Sequence, residues 1–122
     1  MPAPLDEAKL HAFIGKMLGD VGGAMSVPTV RIGLRLGLFD ALTQGAATAA
    51  ELAVRAGGLH ERYVREWALA QAANGYIGFD PATQRFDISP EQAMVFVNPD
   101  SPVYLAGAFE LIAAMIEAEP KV

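Results

Sequence analysis

Apolar positions recur at intervals of three and four residues over most of the chain, a spacing that predicts a mainly α fold. The first such stripe lies between Asp6 and Val21, and Asp6 is placed to act as the N-cap of this helix. From Ala24 to Leu36 the chain is apolar on most sides, so we expect this stretch near the middle of the core.

The junction between these two stretches has two interpretations. Gly22-Gly23 weakens a helix, and Pro28 cannot donate the backbone hydrogen bond that a helix interior needs. The second stretch is therefore either a kinked continuation of the first helix or a separate helix that begins near Ser26. Ser26 as N-cap, with Pro28 in the first turn, favours the separate helix, which Gly37 closes.

A helix, a tight turn, a second helix and a hairpin then follow in order, and this succession predicts a winged helix-turn-helix. Thr48 and Glu51 have the spacing of a capping box, which starts a helix at Ala49. Gly57-Gly58 supplies the positive φ that ends this helix, and a second helix spans His60 to Asn74.

The period changes from helical to alternating after the second helix. Ile77 and Phe79 alternate on one arm, Phe86 and Ile88 on the other, and residues 80–84 between them are rich in turn formers. We interpret this segment as a short two-stranded wing. The alternative is an irregular loop after a helix pair.

Short helices are expected on both sides of this unit. Leu38 to Leu42 makes a short turn of helix before it, and Ser89-Pro90 starts another that ends at Asn98. Ser101-Pro102 predicts the start of a last helix, which is apolar on all faces from Val103 to Ile116. Such a helix needs a second copy or a further domain to cover it.

These elements predict one domain over residues 1–122, a winged helix-turn-helix with a small two-stranded β-wing, extended by N- and C-terminal helices. Hydrophobic residues make up 52% of the chain and charged residues 19%, which indicates that part of the surface meets a partner. The sequence has no cysteine, no secretory signal and no apolar run of membrane-spanning length, so we expect a cytoplasmic protein.

The charge of the chain is unfavourable for DNA binding, the usual role of a winged helix. The net charge is −5, whereas DNA-binding domains neutralise phosphates with Lys and Arg. On the candidate recognition helix, Arg62 and Arg65 are matched by Glu61 and Glu66, and Arg85 in the wing lies between two aspartates. The face that would meet a DNA groove is close to neutral, so we expect little affinity for nucleic acid.

Residues of the types found in catalytic and metal sites do not occur at the spacings that such sites require. His11 and His60 are the only histidines, and His11 has only Glu7 near it on its helix, so we assign no metal. The serines at 26, 89 and 101 are all expected at helix caps, where the hydroxyl serves the backbone. We therefore assign no catalytic residue, and we expect Trp67 to anchor the core of the winged unit.

Two blocks of the sequence resemble the opening of multidomain SAM-dependent class I methyltransferases that act on small molecules. They are Arg31-Ile-Gly-Leu-Arg-Leu-Gly-Leu-Phe-Asp-Ala-Leu42 and Thr48-Ala-Ala-Glu-Leu-Ala53, and the similarity extends from about Ala24 to Val97. In that family an N-terminal winged-helix domain dimerises and covers the acceptor pocket, ahead of a Rossmann-like catalytic domain. The resemblance implies that this chain is such a dimerisation and substrate-lid domain. It implies a homodimer, a catalytic domain outside this chain and a small-molecule substrate as partners.

The glycine-rich loop and the acidic residue that hold SAM in that family have no counterpart in these residues. The resemblance therefore implies SAM for the parent enzyme and no cofactor for this chain. We expect the subunit contact or pocket wall among apolar residues near the two ends: Phe13, Met17, Met25, Phe109, Ile112 and Met115. For each of them the alternative is ordinary core.

Two other functions stay open from the sequence. One is a winged-helix transcription regulator that binds DNA without catalysis. The other is a free-standing domain that binds a hydrophobic ligand or another protein.

Overall fold

The computed structural model describes residues 3–121, which form six α-helices and one two-stranded hairpin. The helices are α1 (Glu7–Leu36), α2 (Leu38–Leu42), α3 (Ala49–Arg55), α4 (Glu61–Ala73), α5 (Pro90–Phe96) and α6 (Ala106–Ala118), with a 3-10 turn at Glu119–Lys121. The strands β1 (Gly78–Asp80) and β2 (Arg85–Asp87) lie between α4 and α5. The mainly α winged helix-turn-helix expected from the sequence is confirmed.

α1 is one continuous helix of 30 residues, so the expected separate helix beginning near Ser26 is wrong. Ser26 lies inside the helix, and its hydroxyl donates to the Gly23 carbonyl at 2.6 Å. The Thr29 hydroxyl donates to the Ser26 carbonyl at 2.8 Å, so side-chain hydrogen bonds support the backbone beside Pro28. Packing of this part of α1 on the winged unit outweighs the weak local propensity of its glycines and proline.

Only one face of the second half of α1 lies in the core. Val27, Val30 and Gly33 are buried, whereas Ile32 and Leu36 are exposed on another face. The expectation that the whole stretch from 24 to 36 belongs near the middle of the core is therefore wrong for half of its circumference. A residue pattern that is apolar all round does not say which face is covered by the same chain.

Most helix ends lie where local sequence signals place them. The Asp6 carboxylate accepts a hydrogen bond from the Lys9 amide at 3.2 Å, and Gly37 ends α1 with φ of 71°. Thr48 caps α3 through a hydrogen bond from the Glu51 amide at 3.2 Å. The expected reciprocal bond from the Thr48 amide does not form, because the Glu51 carboxylate contacts the Thr48 hydroxyl and Arg85 instead.

α6 begins at Ala106, which corrects the expected start at Ser101-Pro102. The Ser101 hydroxyl accepts from the Val103 amide at 3.2 Å, so Ser101 shapes a turn rather than a helix cap. The Leu105 amide donates to the Val95 carbonyl at 3.0 Å. This backbone bond ties the connection to α5 and delays the helix until the chain has turned.

The expected wing is a real hairpin, so the irregular-loop alternative is wrong. β1 and β2 pair antiparallel with Phe79 opposite Phe86, and their ring centroids lie 4.7 Å apart. Ala47, which precedes α3, exchanges backbone hydrogen bonds of 2.7 and 2.9 Å with Phe86. The wing is thereby attached to the start of the helix-turn-helix.

Trp67 anchors the core, as expected. Its ring packs against Phe39 in a T-shaped arrangement with 5.1 Å between centroids, and its indole N–H donates to the Thr29 carbonyl of α1 at 2.7 Å. Phe39 in turn stacks on Phe96 of α5 at 4.4 Å. This aromatic chain joins α1, α2, α4 and α5 into one body.

Candidate functional site

Five of the six residues expected at a subunit contact or pocket wall lie on the surface. Phe13, Met17, Met25, Ile112 and Met115 have exposed fractions between 43% and 69%. They do not belong to the core of a single chain. Phe109 is half-buried and differs from the others, because its ring packs beside Phe96 at 6.1 Å between centroids.

The amino-terminal half of α1 extends away from the rest of the chain. Every residue from 3 to 25 is exposed, including an apolar stripe formed by Leu10, Phe13, Ile14, Met17, Leu18 and Val21. Apolar side chains continue along the helix at Met25, Ile32 and Leu36. Large exposed apolar patches on small proteins mark contacts with a partner.

α6 presents a second apolar surface beside α1. Its exposed large apolar side chains are Leu111, Ile112, Met115 and Ile116. A groove of about 330 Å³ lies between α1 and α6, and its lining includes Val27, Pro28 and Ile116. A separate open groove of about 390 Å³ lies between α3, α4 and the wing.

One carboxylate attaches α6 to α1. Glu110 Oε2 lies 3.0 Å from Arg31 Nη2 and 3.5 Å from Arg35 Nη2. The hydrogen bond from Arg31 is the main cause that holds the pKa of Glu110 below its ordinary value. The sequence analysis does not predict this attachment; Glu110 is the single charged residue between Val103 and Ile116.

A further open cavity of about 410 Å³ lies between α5, α6 and the turn before β1. Its apolar lining includes Tyr76, Phe96, Leu105 and Phe109. Phe109 is thus the one expected site residue that lines this cavity, whereas Met115 and Ile112 lie on the outer surface of the same helix.

The helix-turn-helix face has little free positive charge. Arg65 pairs with Glu61 at 2.5 Å, as the sequence suggests, and Arg85 pairs with Glu51 at 3.0 Å. The hydrogen bond from Arg85 is the main cause that lowers the pKa of Glu51. Because both arginines are paired with carboxylates of the same chain, they offer little positive charge to neutralise a phosphate backbone.

Groups that could perform chemistry are sparse in the part of the chain that the structure describes. Residues 3–121 contain no cluster of three His, Cys, Asp or Glu side chains arranged to hold a metal ion. His60 stands at the start of α4 and packs on Tyr63 at 4.8 Å between ring centroids. Of the three expected cap serines, Ser89 caps α5, whereas Ser26 and Ser101 do not cap a helix. Among these same residues no helix is long and apolar enough to cross a bilayer.

The helix-turn-helix, the paired wing and the preceding α1 define a winged helix-turn-helix protein. Residues 23–98 match the family described as the Rv2258c-like winged HTH domain, and the chain belongs to this family. The matched range includes the second half of α1 and leaves out its exposed first half and α6. No curated protein matches the chain.

Three solved structures share this fold. The mitomycin 7-O-methyltransferase MmcR has a TM-score of 0.69 and 24% identity, over 80% of this chain and 29% of its own. PigF with SAH has a TM-score of 0.68 and 20% identity, over 84% of this chain and 30% of its own. The SAH-bound form of CalO1, a methyltransferase in calicheamicin biosynthesis, has a TM-score of 0.63 and 21% identity, over 90% of this chain and 31% of its own. The chain thus spans less than a third of the length of each of these proteins.

Proposed function

We propose that this chain is the dimerisation and substrate-covering domain of a SAM-dependent methyltransferase that acts on a small molecule in the cytoplasm. The observation that carries the proposal is the shared fold. It covers at least 80% of this chain but less than a third of MmcR, PigF and CalO1, two of which are described as methyltransferases. In this proposal a catalytic domain outside these 122 residues binds SAM and performs the reaction.

The exposed half of α1 supports a second copy as partner. It contains Gly15, Gly19, Gly22 and Gly23, each of which disfavours a helix by about 1 kcal/mol relative to alanine. A helical segment with this composition and no covered face is marginal in water. The apolar stripe on the same segment gives a second copy a surface that stabilises the helix when it is buried.

The alternative of a DNA-binding regulator has less support. The ion pairs Arg65–Glu61 and Arg85–Glu51 involve one of the two arginines of α4 and the arginine of the wing. With a net charge of −5, the electrostatic contribution to DNA affinity is small. No observation favours this function over the first.

The dimer is tested by light scattering on the full 122-residue chain at micromolar concentration. We expect a mass twice the monomer mass of 12.9 kDa. The double variant Phe13→Asp/Met17→Asp introduces charge into the apolar stripe, so it should reduce the mass to that of a monomer. Val54→Asp is the matched control, because Val54 is 75% exposed on α3, away from both apolar surfaces, and should leave the dimer intact. A monomeric wild-type chain would refute the proposed dimerisation.

The methyltransferase part is tested on the full product of the gene that encodes this chain. Isothermal titration with SAM should show binding to the full product and none to the 122-residue chain alone. Transfer of a labelled methyl group from SAM to an added small-molecule extract then identifies the acceptor class. A full product that binds no SAM would contradict the proposed enzyme, whatever the oligomeric state.

A further inference from the structure

The exposed face of α1 has apolar residues at positions that are symmetric about Val21. They follow at intervals of 4, 3, 4, 4, 3 and 4 residues: Leu10, Ile14, Met17, Val21, Met25, Pro28 and Ile32. All seven are exposed. The repeat is 11 residues for three turns, or about 3.67 residues per turn, which is close to the 3.6 of a straight α-helix. These residues therefore form one straight stripe along the whole helix.

The stripe lies on the side of α1 opposite the buried Val30, and only its carboxyl end approaches the winged unit, where Ile32 lines a groove with Tyr63 and Trp67 of α4. Each helical residue turns about 100°, so Val30 of the buried face lies roughly 160° around the helix from Pro28 of the stripe. Val30 is fully buried and Pro28 is exposed, in agreement with this geometry. The chain's own core thus leaves the stripe uncovered from Leu10 to Ile32.

We propose that two copies pack α1 against α1 in antiparallel orientation, about a two-fold axis that passes beside Val21. The inference rests on the proposed dimer and specifies its register. The symmetric spacing places Leu10 opposite the partner's Ile32, Ile14 opposite the partner's Pro28 and Met17 opposite the partner's Met25. Val21 then meets its own copy. A two-fold contact requires such self-complementarity, because the same surface serves both subunits.

The size of this contact requires a contribution from α6. The stripe from 10 to 32 is about 33 Å long and about 10 Å wide, which gives roughly 330 Å² on each copy. A stable interface typically buries about 800 Å² on each partner. The exposed apolar side chains of α6, next to α1, supply the remaining surface.

The register also assigns an occupant to the groove between α1 and α6. Phe13 and Arg31 are 18 residues, or five turns, apart, so both lie on the same flank of the stripe. The two-fold axis places the same flank of both α1 helices on the same side of the contact. The partner's Phe13 therefore lies beside Pro28 and Arg31. The 330 Å³ groove at that position is closed on its other side by Ala113 and Ile116. We therefore assign this groove to the partner's Phe13.

Engineered disulfides test the register, because the chain has no natural cysteine. Val21→Cys should form a cross-linked dimer in oxidising glutathione at least ten times faster than Gly19→Cys, whose side chain projects from the opposite face of α1. Met17→Cys alone should not cross-link, since its two copies are offset by eight residues, about 12 Å along the helix. An equal mixture of Met17→Cys and Met25→Cys chains should cross-link, because disulfides need Cα atoms within about 7 Å.

Light scattering of each reduced variant checks that the dimer persists before oxidation and separates the possible failures. A wild-type dimer in which Val21→Cys cross-links no faster than Gly19→Cys would overturn the register and leave the dimer proposal standing. Rapid cross-linking of Met17→Cys chains to each other, without a cross-link between Met17→Cys and Met25→Cys chains in the mixture, would indicate parallel helices. This result would also overturn the register. A monomeric wild-type chain would overturn both proposals.

Discussion

Gly33 lies where α1 comes closest to the aromatic core, so Gly33→Ala tests the packing that holds α1 on the winged unit. A Cβ atom built on Gly33 would lie 2.8 Å from Phe39 Cε2 and from Trp67 Cε2, and nearer still to Trp67 Cζ2. Neither ring can retreat easily. The Trp67 indole is hydrogen-bonded to the Thr29 carbonyl, and Phe39 is stacked on Phe96.

Two opposing effects set the magnitude of this change. Replacing a glycine inside a helix by alanine stabilises the helix by roughly 0.5–1 kcal/mol. Forcing a methyl group into a filled core costs about 1–3 kcal/mol, and the three close aromatic carbons place Gly33 near the upper end of that range. We expect a net loss of roughly 2 kcal/mol in the free energy of unfolding. Gly19→Ala is the control in the same helix, because a Cβ there meets no atom within 4 Å, and it should gain roughly 0.5–1 kcal/mol.

Urea denaturation measures both variants at one fixed protein concentration, since dimerisation would otherwise change the apparent stability. The fluorescence of Trp67, the single tryptophan, reports on the core, and circular dichroism reports on the helices. If Gly33→Ala is as stable as Gly19→Ala, the close approach of α1 to the two rings is refuted.

Three further predictions concern a buried amide, an ion pair and DNA. The Gln71 side chain is fully buried and, among residues 3–121, neither its oxygen nor its nitrogen has a hydrogen-bond partner. Gln71→Met removes these polar atoms, so it should raise the free energy of unfolding by about 1–3 kcal/mol. An unchanged or lower urea midpoint would show that the amide is satisfied. Because Arg31 lowers the pKa of Glu110, the ionised carboxylate adds stability above its ordinary pKa of 4.5, and this contribution is lost as the pH falls from that value through the lowered pKa. In melting curves across acid pH, Glu110→Gln should therefore be less stable than wild type near neutrality and approach it in acid; a constant difference would contradict the pairing. In mobility-shift assays at physiological salt we expect no complex with DNA below micromolar protein, because Arg65 and Arg85 are paired; a tight complex with a steep salt dependence would favour the regulator alternative.

Local signals predicted the winged unit, because its elements are determined over short stretches of chain. The cap at Thr48, the positive φ at Gly57 and the alternation around Phe86 each act within a few residues. The two wrong helix starts, near Ser26 and at Ser101, arose where a distant contact outweighed a local signal. Packing on Trp67 kept α1 continuous, and the bond from Leu105 to Val95 postponed α6.

The candidate site could be predicted only in part. Apolar residues near the chain ends identified the surfaces of α1 and α6, but the sequence alone did not separate exposed Met115 from half-buried Phe109. Ion pairs between residues far apart in the sequence could not be predicted. Arg31 and Glu110 are 79 residues apart, and Glu51 and Arg85 are 34 residues apart. No local pattern specifies which of several carboxylates a given arginine meets after folding.

Coverage of the amino-terminal half of α1 by a second copy is measured most directly by amide hydrogen exchange at two protein concentrations. The glycines at 15 and 19 make this segment marginal as an isolated helix, so it should open often in the monomer. Well above the dimer dissociation constant, we expect the amides of residues 11–20 to exchange about 100-fold more slowly than well below it, while the amides of α3 change little. Equal exchange of residues 11–20 at both concentrations would contradict the account.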